Sequence, residues 1–491
     1  MKPSATFDTD KVPTATKWIY SASGTGRDAA YTLVSLFLIT YIQYTIRLTP
    51  LQFTALTAII VVCRIWDAIN DPMMGTIIEN MRLKWGKYKP WIFFGALLNA
   101  GITASLFLVR PEGWGFVIFF GIAYLLWGMT FTMNDISYWS MLPSLSSDEK
   151  QRNVLTTLVA TFASVGAFAV GGLVPMLVTG DAIDMYGKIA IAVAIFFLIC
   201  QTILVLFAKE RTRKEVVTQA PKLSLKSMFQ IIAHNVPLLW MLIVILVYYL
   251  GSALLNAFGL NFFYFEFGYT GNEMFLFTVV YAAGTIISQI IYPLLSTKFK
   301  RKQLLIVSFV AIAIGYLAFF AFGYVPFLPK NIMVLCVIGA LVFSGQGVFY
   351  LTVLIMMTNT IEYNEWKTGE RNESIIFAIR PFTAKLSGAI QQGVVSLVLI
   401  VSGLYGLSQQ VAELEQQKAL GEVTDIVPAV NAILSQSNAT MLLVLRIGMT
   451  LLPLALLALA FYIAVFKYHI DEITYQKMVT EIAQRQQKTS D

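Results

Sequence analysis

The chain has 491 residues, 57% of them hydrophobic and only 13% charged. Soluble domains carry about a quarter charged residues, so this composition excludes a soluble globular protein. The formal charge of +7 points to membrane topology rather than nucleic-acid binding, because basic residues gather in cytoplasmic loops.

Crossing a bilayer takes roughly 20 apolar residues. Runs of that kind predict twelve spans, over 18–45, 51–79, 89–110, 114–143, 152–178, 186–208, 236–266, 272–297, 302–325, 332–361, 372–404 and 437–467. The expectation is an all-α, multi-pass membrane protein. Ahead of the first span, residues 1–17 are polar and lack the apolar core of a cleavable signal peptide. Cys63, Cys200 and Cys336 all fall in apolar runs and show no metal-ligand spacing.

The first span contains "GTGRDAAY", with Arg27 and Asp28 inside it. Embedded charges of this kind either line an internal site or pair with each other to hold a bundle together. The second span contains "RIWDAINDPMMG" (64–75). Each helical residue turns about 100°, so Asp67, Asn70 and Asp71 share a face. A charge at mid-membrane costs at least roughly 2.5 kcal/mol, and two carboxylates on one face repel. A cation between them removes both penalties, and carboxylate and amide oxygens suit a hard ion. The competing reading is a structural Arg64–Asp67 pair, or a helix-end motif near the cytoplasm.

The fourth span repeats the pattern in "WGMTFTMNDISYWSMLP" (127–143). Thr132, Asp135 and Trp139 share a face there, and Trp127 lies within about 80° of Asp135. An acid beside an indole suits a sugar: the carboxylate accepts hydroxyl hydrogen bonds and the ring covers the apolar C–H side. The competing reading places the tryptophans in an interfacial belt.

Basic residues cluster at 82–89, at 298–302 and in the 209–235 linker. The 404–436 connection holds one base, Lys418, against Glu413, Glu415, Glu422 and Asp425. This asymmetry predicts that both termini face the cytoplasm. The linker divides the chain into a first bundle (1–208), the linker (209–235), a second bundle (236–467) and a tail (468–491). Six spans plus six is the plan of the major facilitator fold, two bundles around a central cavity. An internal echo agrees with it. "DPMMGT" (71–76) and "YPLLST" (292–297) end the second and eighth spans, each just before a basic loop. Aligning Pro72 with Pro293 sets Asp71 against Tyr292 and Asp67 against Ser288, so the acids are peculiar to the first half.

The eleventh span contains "AIRPFTAKLSG", with Arg380 and Lys385 about 140° apart around the helix. Lys385 is the natural counter-charge to the aspartates. Arg446, in the twelfth span, reads as structural or near-interface. The tail reads as a short amphipathic cytoplasmic helix (468–487), plainly solvated, with regulation through it as the alternative. His234 and His469 are the only histidines, and there is no HExxH or GxxxxGK[ST] pattern. An intramembrane enzyme and an ATP-driven pump are therefore not expected.

"WDAINDPMMGTIIENMRLKWGKYKPW" (66–91), "MNDISYWSMLPSLSSDEKQR" (133–152) and "NTIEYNEWKTGERNESI" (359–375) resemble signatures of the glycoside–pentoside–hexuronide:cation symporters. The resemblance spans all twelve helices. It implies symport of a sugar or glycoside with a monovalent cation, Na⁺ first and H⁺ second, by alternating access. It implies no resident cofactor, a cytoplasmic-membrane location and a monomer. The implied cation ligands are Asp67, Asn70, Asp71 and Thr132. The implied sugar ligands are Asp28 and Asp135, with Trp139 and Trp127 as aromatic surfaces, and Lys385 stands between the two sites. Arg27 occupies a position where the family has lysine. Two departures alter the sugar site: Ala160 stands where an arginine is expected, and Arg380 where a glutamine is. Tyr350 replaces an expected tryptophan. An arginine fork binds carboxylates bidentately, so a hexuronide joins neutral glycosides as candidate cargo. Glu149, Arg152, Glu370 and Arg371 are candidate cytoplasmic latches. A Na⁺-coupled lysolipid transporter is the alternative from a related fold.

Overall fold

A computed structural model of the chain describes residues 12–81, 85–146, 149–208, 235–369 and 373–490. Helices account for the regular structure of these residues. The chain first rises through α1 (Thr14–Thr32), a π turn (Leu33–Phe37) and α2 (Leu38–Thr45), continuous in direction. The next helix, α3 (Pro50–Asn80), starts at a capping box: Thr49 accepts the Gln52 N–H and the Gln52 side chain accepts the Thr49 N–H. This satisfies donors that a helix start leaves open, and Pro50 lacks the N–H that would need a partner. The first half continues with α4 (Lys89–Leu108), α5 (Trp114–Leu145), α6 (Glu149–Val178) and α7 (Ala182–Phe207).

The second half begins with α8 (Val236–Ala257) and α9 (Gly259–Phe267), followed by α10 (Asn272–Lys298), α11 (Arg301–Ala321) and α12 (Ile332–Thr368). Next come α13 (Glu373–Ser402), the short α14 (Leu404–Ala419) and α15 (Val427–Leu434). The last span is α16 (Ala439–Arg446), a π turn (Ile447–Leu451) and α17 (Leu452–Phe466), and α18 (Glu472–Ser490) forms the tail.

Among the described residues, 11 helices are long and apolar enough to cross a membrane. The twelfth passage is the α1–α2 rod, which is the right length but too polar along α1 to qualify by composition. Its Ser21, Ser23, Gly24, Gly26 and Arg27 are buried, so the polar residues face protein. Outward faces show the reverse pattern. Val62 and Leu206 in the first half, and Val307 and Val337 in the second, are largely exposed, as lipid-facing residues must be.

The described residues form two compact units. The first holds α1 to α7 and also takes in Phe263–Phe275 and Gly403–Ser437. The second holds α8, α10 to α13 and α16 to α18. The first unit thus includes two segments that follow the 209–235 linker in the chain. The linker itself, apart from Asn235, lies outside the described residues.

In the first unit α1 packs on α6 and α7, α4 on α5 and α7, and α3 on α5. Lipid tails are as apolar as leucine, so close packing and buried hydrogen bonds hold such helices together. Tyr20 and Tyr138 stack with ring centroids 4.6 Å apart. Each donates its hydroxyl to the other's carbonyl, at 2.7 and 2.6 Å. Gly166 of α6 lies against the Thr25 carbonyl of α1, where a Cβ would overlap backbone.

In the second unit α8 packs on α13 and α17, and α11 on α12. Arg446 donates to the carbonyls of Phe320 and Phe322, and its guanidinium sits 4.2 Å from the centre of the Tyr324 ring. That matches the structural reading of Arg446. The tail differs from expectation. α18 is docked along α12, with Met478 fully buried. Trp366 Nε1 donates to Glu481 at 2.7 Å, and Arg301 pairs with Glu472 at 3.2 Å. An alternation of polar and apolar residues shows that a helix has two faces, but not that a partner covers one of them.

Candidate functional site

Two polar clusters lie in the first unit, both built around α5. In the first, α3 supplies Arg64, Asp67, Asn70 and Asp71, as their helical spacing requires. Arg64 Nη1 stands 3.2 Å from Asp67 Oδ2, with the two side chains only 8% and 5% exposed. The guanidinium also lies 5.6 Å from the ring centres of both Tyr124 and Trp127 on α5. The Arg64–Asp67 pair set against the cation reading from sequence is therefore formed. Thr132 donates its hydroxyl to Asp71 Oδ1 at 2.9 Å, joining α5 to α3 across 61 residues. Asn70 is buried, and its Nδ2 has no hydrogen-bond partner among the described residues.

Gly128, one turn before Thr132, is part of this arrangement and was not singled out from sequence. A Cβ there would come within 3.2 Å of Asp67 Oδ1, so the bare glycine lets the carboxylate lie against α5. The available signal was its position, four residues before Thr132 on the same face. Among the described residues, no three His, Cys, Asp or Glu side chains gather at one point. The oxygens of this cluster are those of two carboxylates, an amide and a hydroxyl, which as a set are hard donors.

The second cluster joins α1 to α5. Arg27 donates to Asp28 Oδ2 from Nη2 at 2.7 Å and from Nε at 3.0 Å. Its Nη1 stands 3.2 Å from Asp135 Oδ1. The arginine side chain is 4% exposed, while the carboxylates of Asp28 and Asp135 are 29% and 34% exposed. A buried cation thus holds two acids whose outer oxygens reach the surface of the unit. The guanidinium also covers the Tyr138 ring at 4.4 Å and the Trp139 ring at 5.1 Å. Trp139 is exposed at its helix end and Trp127 is buried. The Trp127 ring lies in a row with Tyr31, Phe131 and Tyr124, and its indole N–H finds no acceptor among the described residues.

Both clusters use one side of α5. Thr132 and Asp135 are three residues apart, which is about 4.5 Å of helix rise.

The remaining predicted positions lie elsewhere. In the second unit Tyr350 places its hydroxyl 3.0 Å from that of Tyr249 and stacks on Tyr248. Tyr249 was not anticipated, since it sits in an uninterrupted apolar run. Lys385 is half-buried on α13, and Arg152 is half-buried on α6. The side chains of Arg380 and Glu149, and residues Glu370 and Arg371, lie outside the described residues.

Twelve helical passages among the described residues, with charges turned inward in the first bundle, define a polytopic membrane protein. The chain belongs to the MFS/sugar transport protein family, whose profile matches residues 19–472. It is 30% identical over 369 residues to a lactose permease of Leuconostoc lactis, covering 72% of this chain and 56% of that protein. It is 28% identical over 411 residues to a raffinose carrier protein of Pediococcus pentosaceus, covering 79% and 62%. The chain thus spans little more than half the length of these relatives. A glucuronide carrier protein homolog of Escherichia coli (strain K12) is 24% identical over 481 residues, covering 95% and 94%. Among solved structures, a bacterial homolog of the human lysosomal transporter Spinster superposes with a TM-score of 0.64 at 12% identity, covering 95% of this chain and 98% of that one. The nucleoside transporter NupG gives 0.62 at 12% identity, covering 92% and 100%. At these identities the superpositions establish the fold alone.

Proposed function

We propose that the protein carries a sugar or glycoside across the membrane together with Na⁺, by alternating access. The observation that carries this reading is the Thr132–Asp71 hydrogen bond. It ties the acids of α3 to the helix that also bears Asp135 and Trp139. Relatives named for lactose, raffinose and glucuronide support a sugar as cargo.

In this reading Asp67, Asn70, Asp71 and Thr132 bind the cation. Arg64 already offsets one carboxylate, so a single positive charge completes neutrality across Arg64, Asp67 and Asp71. Asp28 and Asp135 accept sugar hydroxyls, held in place by Arg27. Trp139 offers a ring face, and Trp127 backs Tyr31. Tyr350 and Arg380 of the second unit are the further sugar-binding candidates, with Arg380 the position that would decide between neutral and uronide cargo, and Lys385 is the candidate coupling residue. Cation binding draws Thr132 toward α3 and settles Asp135 one turn away. Each ligand then raises the other's affinity reciprocally, typically by about 1–3 kcal/mol.

The test is uptake of a panel of labelled glycosides into energised vesicles at fixed pH, with and without Na⁺, for the parent and for Asp71→Asn. Sodium should raise parent accumulation, and the variant should lose at least about tenfold of it. Equal uptake without sodium would transfer the coupling to protons. Competition by lysolipids but not by sugars would replace the cargo.

A further inference from the structure

The connection between the eleventh and twelfth spans is built into the first unit. α14 lies along α2 and against α7. Tyr405 donates to the Leu48 carbonyl at 3.0 Å and stacks on Phe53. Gln409 donates to the Gln43 carbonyl at 3.0 Å and accepts the Leu48 N–H at 2.8 Å. Gln416 donates to the Thr45 carbonyl, and the Lys418 ammonium to that of Gly180. On α15, Asn431 accepts the Tyr269 N–H at 2.8 Å. These partners lie at the turns after the first, fifth and seventh spans. Alternation of crossings puts those turns on one membrane face, opposite the termini.

At the middle of the seam sits Glu415, only 1% exposed. Its Oε2 accepts the Ala182 N–H at the start of α7, at 2.8 Å, and its Oε1 accepts the Tyr269 hydroxyl at 2.5 Å. No step of the transport reading uses this carboxylate.

The segment has little slack. One residue, Gly403, separates α13 from α14, in a left-handed conformation (φ 81°) that suits glycine. Residues 435–438 separate α15 from α16, and an extended chain reaches roughly 3.3–3.6 Å per residue. Both flanking spans belong to the second unit, while the segment itself packs with the first. Rocking of two bundles about a midplane site separates their outer ends in one half of the cycle.

We propose that residues 403–437 form a latch on the outer end of the first bundle, pinned by Glu415, which must undock in every transport cycle. The need for undocking rests on the alternating-access reading above. The pin also responds to pH. Burial raises the Glu415 pKa, and Asp181 adds to this, whereas the Tyr269 hydroxyl, the Ala182 amide and Lys418 oppose it. Tyr186 and Tyr264 also face the carboxylate. Docked Glu415 therefore holds a proton more readily than undocked Glu415. The latch tightens as external pH falls from above the docked value toward the ordinary carboxylate range, and it loosens as pH rises.

Two measurements test this in a background where Cys63, Cys200 and Cys336 are replaced by alanine. First, Arg47 and Glu413, an exposed ion pair at 3.8 Å, are changed to cysteine and joined by a reducible bis-maleimide. Sugar counterflow in proteoliposomes should fall at least about tenfold and return on reduction. Undiminished counterflow with the link in place would overturn the latch. Second, Thr45→Cys, a fully buried position beneath α14, is labelled with an impermeant maleimide at several external pH values. Relative to a fully exposed single cysteine at the same pH, which removes the thiolate fraction that itself grows with pH, labelling should speed up with rising pH, and Glu415→Ala should accelerate it roughly tenfold. Glu415→Gln should keep it slow at every pH, because the amide mimics the protonated acid. Equal labelling in all three proteins would also overturn the latch. A protein that moves no sugar even before cross-linking would count against the transport reading alone, since labelling does not depend on cargo.

Discussion

Asp71 and Thr132 show how a short side chain sets the character of an embedded acid. A hydroxyl that donates to the carboxylate at 2.9 Å still has lone pairs to offer an ion, so in the proposed cation site the two residues would act as one ligand group. Thr132→Val keeps the shape and removes the oxygen. Half-saturation by Na⁺ in uptake assays should rise about tenfold or more, as it does when an ion-site partner is removed. An unchanged sodium curve would take Thr132 out of the ion site. Arg27 belongs to the same scale. It was legible in sequence as an embedded charge beside Asp28, yet its reach to Asp135, 3.2 Å away on another helix, was not. Helical spacing tells which residues share a face of their own helix, and nothing about which face of another helix it meets.

The meeting of α1 with α6 depends on what is absent at Gly166. Thr25's carbonyl occupies the space a Cβ would need, and overpacking a tight contact costs about 1–3 kcal/mol. Gly166→Ala should lower the melting temperature of the purified protein accordingly. Gly101→Ala on α4 is the control, because a Cβ there meets nothing within 4 Å. A matching loss in both variants would mean that helix propensity or detergent, rather than the close crossing, sets the response. Span lengths and their order were readable at this scale because bilayer thickness prescribes them. The α1–α2 rod needed its polar residues explained by burial, and the crossing at Gly166 had no signature beyond a glycine in an apolar run.

At the scale of the whole molecule, the connecting segments are what differ from a simple six-plus-six plan. The tail offers a pH test. Burial pushes the Glu472 pKa up, but the Arg301 amide and guanidinium and its own backbone amide outweigh that and hold it below the ordinary value. A depressed carboxylate stabilises docking above its unfolded pKa and loses that contribution as pH falls through the docked value. Limited proteolysis should therefore spare α18 near neutrality and cut it faster below about pH 4.5, the usual range for glutamate. Equal cutting at both pH values would show that Met478 and Trp366, not the ion pair, hold the tail.

The sequence by itself determined the membrane class, the number and order of the spans, the two-bundle plan and the shared faces of Asp67, Asn70, Asp71, Thr132 and Asp135. The class follows from composition, the spans from the thickness of hydrocarbon to be crossed, the two-bundle plan from the basic linker and the internal echo, and the shared faces from the turn of a helix per residue. Only the tertiary structure decided that Arg64 engages Asp67, that Gly128 lies against that carboxylate, that Trp127 is buried, and that the tail and the 403–437 segment are docked. The bond from Ala182 to Glu415 joins positions 233 residues apart. No periodic pattern records such a pairing, because it depends on which helix faces meet once the bundle has assembled.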